Sequence, residues 1–357
     1  MTTPGSKNTK SALEAKSDAQ KIAFAPVAFQ VAKSLRDLGI LEHIHRARDR
    51  GAAVEEIAAD LNLNDYGVRV LLEFGASIDL VAVEENRYHL TKTGLFILSD
   101  PLTRVNMDFI HDVCYRGLFH LPQAVAETKP AGLKVFGDWP TIYEGLASLP
   151  ADVQKSWFAF DHYYSDMAFP EALPIVFKRR PARLFDVGGN TGKWAVACVD
   201  YDPHVRVTLL DLPGQLVKAR QTIGEKGLEN RIDCLEFDIL QTDRPFPAGA
   251  DAIWMSQFLD CFSEDQIVHI LTLTGSGMRP DTDLYILEPF WNRQRFEAAR
   301  YSLQATSLYF TCMANGNSKM YHSEEMIRCI ERSGLSVEEE FDDIGVCHTL
   351  LRCRRPD

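Results

Sequence analysis

Residues 186–194 read DVGGNTGKW and follow directly on RLF at 183–185. An apolar run that empties into glycines is a strand reaching its carboxyl end, which is where open α/β sheets bind ligands. Spacing removes two of the loops that hold phosphates. A P-loop needs G-x-x-x-x-G-K-[ST]; Val187 stands where its first glycine belongs, and Trp194 follows Lys193. A dinucleotide loop needs G-x-G-x-x-G; counted from Gly188, its third glycine falls on Lys193.

The spacing that fits is acid-x-G-x-G-x-G, the loop of enzymes that bind S-adenosylmethionine. Asp186, Gly188 and Gly192 match it, and Gly188 and Gly189 remove side chains that would hold the backbone away from a ligand. Asn190 takes the middle glycine's place, which its tolerance of positive φ permits. Two more acids occupy later strand ends. LLDLP places Asp211 at the end of the second strand, with Leu212 next; a carboxylate there accepts hydrogen bonds from both ribose hydroxyls. Phe237-Asp238-Ile239 follows the third strand and offers an acceptor for an adenine amine and an apolar face for its ring. The loop, Asp211 and Asp238 in this order point to S-adenosylmethionine as cofactor, with S-adenosylhomocysteine as its product.

Working outward, strand-like runs at 183–187, 206–210, 231–237, 251–255 and 283–288 alternate with helical patterns, as in a doubly wound, Rossmann-like parallel sheet. Two further runs, near 336–341 and 346–352, are joined by a loop too short for a crossover and are expected to pair antiparallel. The expected α/β chain therefore has a disordered tail over 1–20, a helical winged-helix domain over 21–100, a helical region over 101–180, and the cofactor-binding sheet over 181–357. Val27, Val31, Leu35, Leu38 and Leu41 predict one helix from Ala25 to Leu41. Val54–Leu61, a turn at Asn62–Asp65, a helix at Tyr66–Ile78 and two short strands around Glu84–Asn86 read as a winged helix-turn-helix. Its second helix offers Arg69 but also Glu73 and a mostly apolar remainder, so packing or dimerisation is expected rather than base reading. Residues 101–180 are rich in aromatics, and His162, Tyr163 and Tyr164 are candidates for a pocket wall.

Composition narrows the class. Of 357 residues, 46% are hydrophobic and 25% charged, the balance of an ordinary globular protein. A formal charge of -12 argues against nucleic acid or an anionic membrane as partner. Eight cysteines occur without a CxxC pair or a nearby His cluster, so neither a metal site nor a disulfide framework is expected. Residues 1–20 lack the apolar core of a signal peptide, and no run approaches a membrane span. A cytoplasmic location is expected.

Together, VEEIAADLNLNDYGVRVLLEFGASIDLV…RYHLTKTG, DVGGNTGKW, LLDLP and the final hairpin resemble class I S-adenosylmethionine-dependent methyltransferases over roughly residues 25–355. The likeness is to the O-methyltransferase family of the plant caffeic acid and hydroxyindole enzymes and many bacterial secondary-metabolite enzymes. The resemblance implies an N-terminal dimerisation domain, a homodimer and a small aromatic or polyketide-like acceptor, methylated at a hydroxyl oxygen. It also implies a catalytic His in a stretch that usually reads H-D-W-[SD]-[DE]-[DE]. Here that stretch is Asp260-Cys261-Phe262-Ser263-Glu264-Asp265, so Asp260 holds the position of the base. Of the two acids that steer the family's His, one matches Glu288 in LEPFW, and Met320 replaces the other. A basic residue that helps hold the cofactor falls near Ser256, and Gln257 beside it can orient a polar group.

The exchange has a chemical cost. A phenol near 10 and a His near 6.5 differ by about 3.5 units, roughly 5 kcal/mol; an ordinary Asp widens the gap to about 6 units, roughly 8 kcal/mol. Asp260 can serve as base only if burial and a nearby Glu288 raise its affinity for protons. Ring C-methylation of a phenol therefore competes with O-methylation, as does a relative that binds the cofactor yet decarboxylates or hydroxylates.

Overall fold

The computed structural model describes residues 10–241 and 243–356. They divide into two compact units, Met1–Met107 and Asp108–Asp357. The expected disordered tail lies outside the described residues as far as residue 9. From there the chain is helical instead: α1, Ala12–Ala23, starts because Ser11 and Glu14 cap each other's backbone amides, and it buries none of its residues. The single helix expected over Ala25–Leu41 is two, α2 (Ala25–Asp37) and α3 (Ile40–Ala47). Gly39, at φ +80, turns left-handed between them.

The helix-turn-helix forms as its sequence implies. Asn62 closes α4 (Val54–Leu61) in the left-handed region, and the Asn64 side chain accepts the Gly67 amide at 2.6 Å to open α5 (Asp65–Ser77). Arg69 donates to Glu55 at 2.8 Å. The wing is β1 (Val81–Glu84) against β2 (Arg87–Leu90), joined by Glu85 and Asn86, both at positive φ as a type I′ turn demands. Helix α6 (Lys92–Ser99) closes a core centred on Leu35, Ile40, Leu41, Ile44, Ile57 and Leu72.

In the second unit, α7 (Ala151–Phe177) precedes the sheet strands β3 (Arg183–Val187), β4 (Arg206–Asp211), β5 (Ile232–Glu236), β6 (Ala252–Ser256) and β7 (Asp283–Glu288). Helices α8 (Lys193–Tyr201), α9 (Pro213–Glu225) and α10 (Glu264–Gly277) cross between them; α11 (Glu297–Tyr309) and α12 (Ser323–Arg332) lead to β8 (Ser336–Ile344) and β9 (His348–Arg354). The spatial order is β5-β4-β3-β6-β7-β9-β8, parallel as far as β7 and antiparallel at β9 and β8. Five parallel strands and an antiparallel hairpin are thus present, as expected. Buried Asp283 binds Arg352 at 2.8 Å, Arg354 at 2.7 Å and Arg179 at 3.3 Å, tying β7 to β9 and to the chain that follows α7. Two apolar layers cover the faces; in one, the rings of Trp194 and Trp254 stack 3.9 Å apart beneath the glycine loop. Strand order reverses between β3 and β6, so the crevice at their carboxyl ends is where a ligand belongs.

Gly94 tests the packing of the first unit. A methyl there would stand 2.1 Å from the Leu80 carbonyl oxygen and 2.7 Å from Leu90. Gly94→Ala is expected to cost about 2 kcal/mol or more of unfolding free energy, measured by chemical denaturation.

Candidate active site

The glycine loop is shaped by φ angles that few side chains accept. Gly188, Asn190 and Gly192 lie at φ +71, +51 and +79, so the chain leaves β3 in tight turns before Gly192 caps α8. A Cβ on Gly188 would sit 2.3 Å from the Phe258 ring, and one on Gly189 would sit 2.5 Å from the Asp186 carboxyl. Asp211 fastens the loop from the neighbouring strand end, accepting the Asn190 amide at 2.9 Å and the Leu212 amide at 2.7 Å. Burial raises Asp211 to about 6. Asp186 is pushed up to about 8, first by burial and then by the charge of Asp211. Asp238 accepts the Leu240 and Gln241 amides at 3.1 and 3.2 Å, which folds the loop after β5.

These loops open into a cavity of about 500 Å³. Asp186, Gly188, Gly189, Asp211, Leu212, Asp238, Ile239, Ser256 and Gln257 line it, together with Asp260, His162 and Met320. Its far wall is aromatic, with Phe109, Trp157, Phe160, Tyr309, Phe310 and Phe262. Asp186 Oδ2, Thr191 Oγ1, Ser256 Oγ and Gln257 Oε1 are buried on this lining without a protein partner. Orphaned polar atoms around an apolar chamber fit a ligand with a polar end and a flat ring system. The run of carboxyls fits one that carries positive charge, and the sulfonium and amino groups of S-adenosylmethionine meet that condition.

Gly192, Glu288, Tyr163 and Tyr164 do not line the cavity. Gly192 turns the chain behind the loop. On α7 the cavity-lining residues are Trp157, Phe160, Asp161, His162, Ser165, Asp166 and Phe169. Helical phase carries Tyr163 off the face, whereas Tyr164 shares the stripe of Trp157, Phe160 and Asp161 but is buried against Phe160, ring centroids 4.9 Å apart, and does not line the cavity. Glu288 stands behind the turn at Leu259–Cys261: its Oε1 accepts the Phe258 and Leu259 amides at 3.0 and 2.8 Å. It positions Asp260 rather than facing an acceptor.

Asp260 is 4% exposed, and its Oδ1 accepts the Cys261 thiol at 3.5 Å. Burial, with the charge of Asp161 added, pushes it up to about 7. Glu288 is raised far above the ordinary carboxyl range by burial and by Asp260. His162 is pushed down to about 4 by burial and the Lys193 ammonium, so its imidazole is neutral near neutral pH.

Three residues at the site carried no assignment from sequence. Asp161 accepts the Asn190 side-chain amide at 3.2 Å and is raised by burial to about 6. Asn315 donates to the Cys261 carbonyl and lines the cavity beside Met320. Trp157 donates to the Tyr309 hydroxyl at 2.7 Å, fixing two rings of the wall. An acid inside an aromatic helix was the available signal for Asp161; nothing local marks Asn315.

Two family profiles match the chain: a Dimerisation2-like domain over residues 16–88 and an O-methyltransferase domain over 165–334. The chain belongs to the O-methyltransferase family. Within it, an L-tyrosine C(3)-methyltransferase of Streptomyces lavendulae is 24% identical over 89% of this chain and 86% of its own length. A 3-hydroxy-5-methyl-1-naphthoate 3-O-methyltransferase of Streptomyces sahachiroi is 34% identical over 62% of each chain. Among solved structures, the apo form of the S-adenosylmethionine-dependent methyltransferase SibL superposes with a TM-score of 0.74, covering 96% of this chain and 99% of that one at 24% identity.

Two outcomes follow from the geometry. Gly188→Ala strains the loop and meets the Phe258 ring, so titration calorimetry should find S-adenosylhomocysteine affinity reduced about tenfold or more. Asp260 binds its proton more tightly folded than unfolded, where its value is near 3.8. The stability this supplies is full below that value and is lost as pH rises toward about 7. Asp260→Asn should therefore gain on the order of 2 kcal/mol relative to the parent between about pH 5 and about pH 8, read from denaturant midpoints.

Proposed function

We propose that the protein is an S-adenosylmethionine-dependent methyltransferase that acts on a hydroxyl oxygen of a small aromatic acceptor. The observation that carries this reading is that the glycine loop with Asp211 and the buried Asp260 face one cavity with an aromatic far wall. The family's cofactor supplies a methyl group on a cationic sulfur. Asp211 and the backbone of 188–190 would hold its sugar and polar end, Ile239 and Asp238 its base. The aromatic wall seats a flat acceptor by burying both of its faces.

Asp260 is the group assigned to take the hydroxyl proton. At about 7 it stands about 3 units below a phenol, roughly 4 kcal/mol, where an ordinary Asp faces roughly 8 kcal/mol. Burial thus recovers what the exchange of His for Asp gives up. Glu288 fixes the turn that presents Asp260, and His162, neutral and poorly basic, does not replace it. The Dimerisation2-like match over 16–88, with exposed Ile22, Phe24 and Val27, supports a homodimer built through the N-terminal unit. No described helix is long and apolar enough to cross a membrane, which is compatible with a cytoplasmic enzyme.

A second site of transfer is favoured by one comparison, the match to the tyrosine C(3)-methyltransferase across 89% of the chain. A phenolate shares its charge with the ring carbons, so the same deprotonation by Asp260 prepares either outcome. NMR of the product separates them, since a methoxy and a ring methyl differ in shift.

Methyl transfer from labelled cofactor to a panel of phenols, scored against pH, tests the assignment. The parent's kcat/KM should climb through about pH 7 as Asp260 ionises, and Asp260→Asn should lower kcat about a hundredfold with cofactor KM within about twofold. A variant with full rate and an unchanged pH profile removes Asp260 as base. Cofactor that binds without ever losing its methyl removes the methyltransferase reading.

A further inference from the structure

The charges around the cavity say what the acceptor carries besides its hydroxyl. Carboxyls line it on every side, and among the described residues its bases are Lys193 and His162, with no arginine. Lys193 is spent on Asp166 at 2.5 Å. His162 lies 3.8 Å from both Asp161 and Asp166, but its depressed proton affinity leaves it neutral. Asp186, Asp211 and Asp238 stand at the strand ends where the cofactor belongs. Glu144 lines the cavity from an exposed position. On the aromatic side that leaves Asp161 next to Phe160, its side chain 26% exposed, and buried Asp260 between Phe258 and Phe262, neither paired with a lysine or arginine among the described residues.

Neither is satisfied. Asp161 has the neutral Asn190 amide at 3.2 Å on Oδ2. Asp260 has the Cys261 thiol on Oδ1 and its own backbone amide as donors, and no cation, although the side chain is more than nine-tenths buried and lines the cavity. The two are close enough that the charge of Asp161 raises Asp260. An acceptor with its own carboxylate would add a third negative charge to this space with no cation to meet it. An ammonium would meet a carboxylate in a low dielectric and find Trp157, Phe160 and Tyr309 nearby for cation–π contact.

We infer, on the methyltransferase reading above, that the acceptor is a phenol bearing a protonated amine and no carboxylate, with Asp161 holding the ammonium. Asp260 then stays available for the hydroxyl. Asp161 is placed here to determine specificity: it binds the acceptor's side arm, and touches the proton transfer only through its charge on Asp260.

Calorimetry on the full chain saturated with S-adenosylhomocysteine tests this with three probes of one skeleton: tyramine, its deaminated analogue para-ethylphenol, and hydroxyphenylpropanoate. Tyramine should bind about tenfold tighter than the neutral phenol, and the carboxylate more weakly than either. Asp161→Asn keeps an acceptor for Asn190 and should erase the amine's advantage, with affinities for para-ethylphenol and S-adenosylhomocysteine within about twofold of the parent. A carboxylate that binds as well as the amine overturns the inference. So does an Asp161→Asn variant that loses S-adenosylhomocysteine as much as tyramine, since Asp161 would then serve the cofactor. No heat from any of the three probes in protein that binds S-adenosylhomocysteine sinks the amine inference alone. No heat from S-adenosylhomocysteine itself sinks the reading beneath it.

Discussion

Carboxyl groups withdrawn from water at strand ends are the constraint on which this site depends. A buried carboxylate must find donors or keep its proton. Asp211 finds the amides of Asn190 and Leu212, and in doing so sets the path of two loops from two neighbouring strands. Glu288 takes the Phe258 and Leu259 amides on Oε1 alone, and with its Oε2 buried and unpartnered it also holds its proton tightly. Asp186 and Asp260 are left short of donors and hold their protons more tightly instead. Asp211 thus both sets the loop path and contributes negative potential to the cavity, so at that strand end architecture and ligand preference have one origin.

The replacement of the family's His is accompanied by a second change that makes chemical sense beside it. Where relatives carry an acid to steer an imidazole, this chain has Met320, buried and on the cavity wall. A further carboxyl beside Asp260 would raise it beyond about 7, so that it would already hold its proton at neutral pH. An apolar side chain there avoids that. Asp260 is raised instead by burial and by the charge of Asp161, which comes from α7.

What the sequence made legible was local. The strands of the sheet, the glycine loop and the acids at strand ends rest on short apolar runs and turn chemistry carried within a few residues. The break at Gly39 was a local signal too, outweighed by a helical period that continued across it. Asp161 and Asn315 were not legible, because their partners Asn190 and Cys261 lie far away along the chain. Tyr163 and Tyr164 were misplaced for a different reason. Helix α7 carries aromatics around much of its circumference, so composition could not say which phase faced the cavity; only the packing of Tyr164 on Phe160 does. Glu288 was found, but its two backbone partners give it a structural task that a motif cannot specify.

The order of strands at the sheet's antiparallel side bears on how the chain is made. Strand β9 follows β8 in the chain yet lies between β8 and β7. While the ribosome is still translating β8, that strand has no edge to join, and β7 exposes an open row of amides and carbonyls. Newly made protein must therefore hold this apolar edge unpaired until β9 emerges and Arg352 reaches Asp283. Pausing at that moment would present chaperones or a neighbouring nascent chain with a strand in search of a partner.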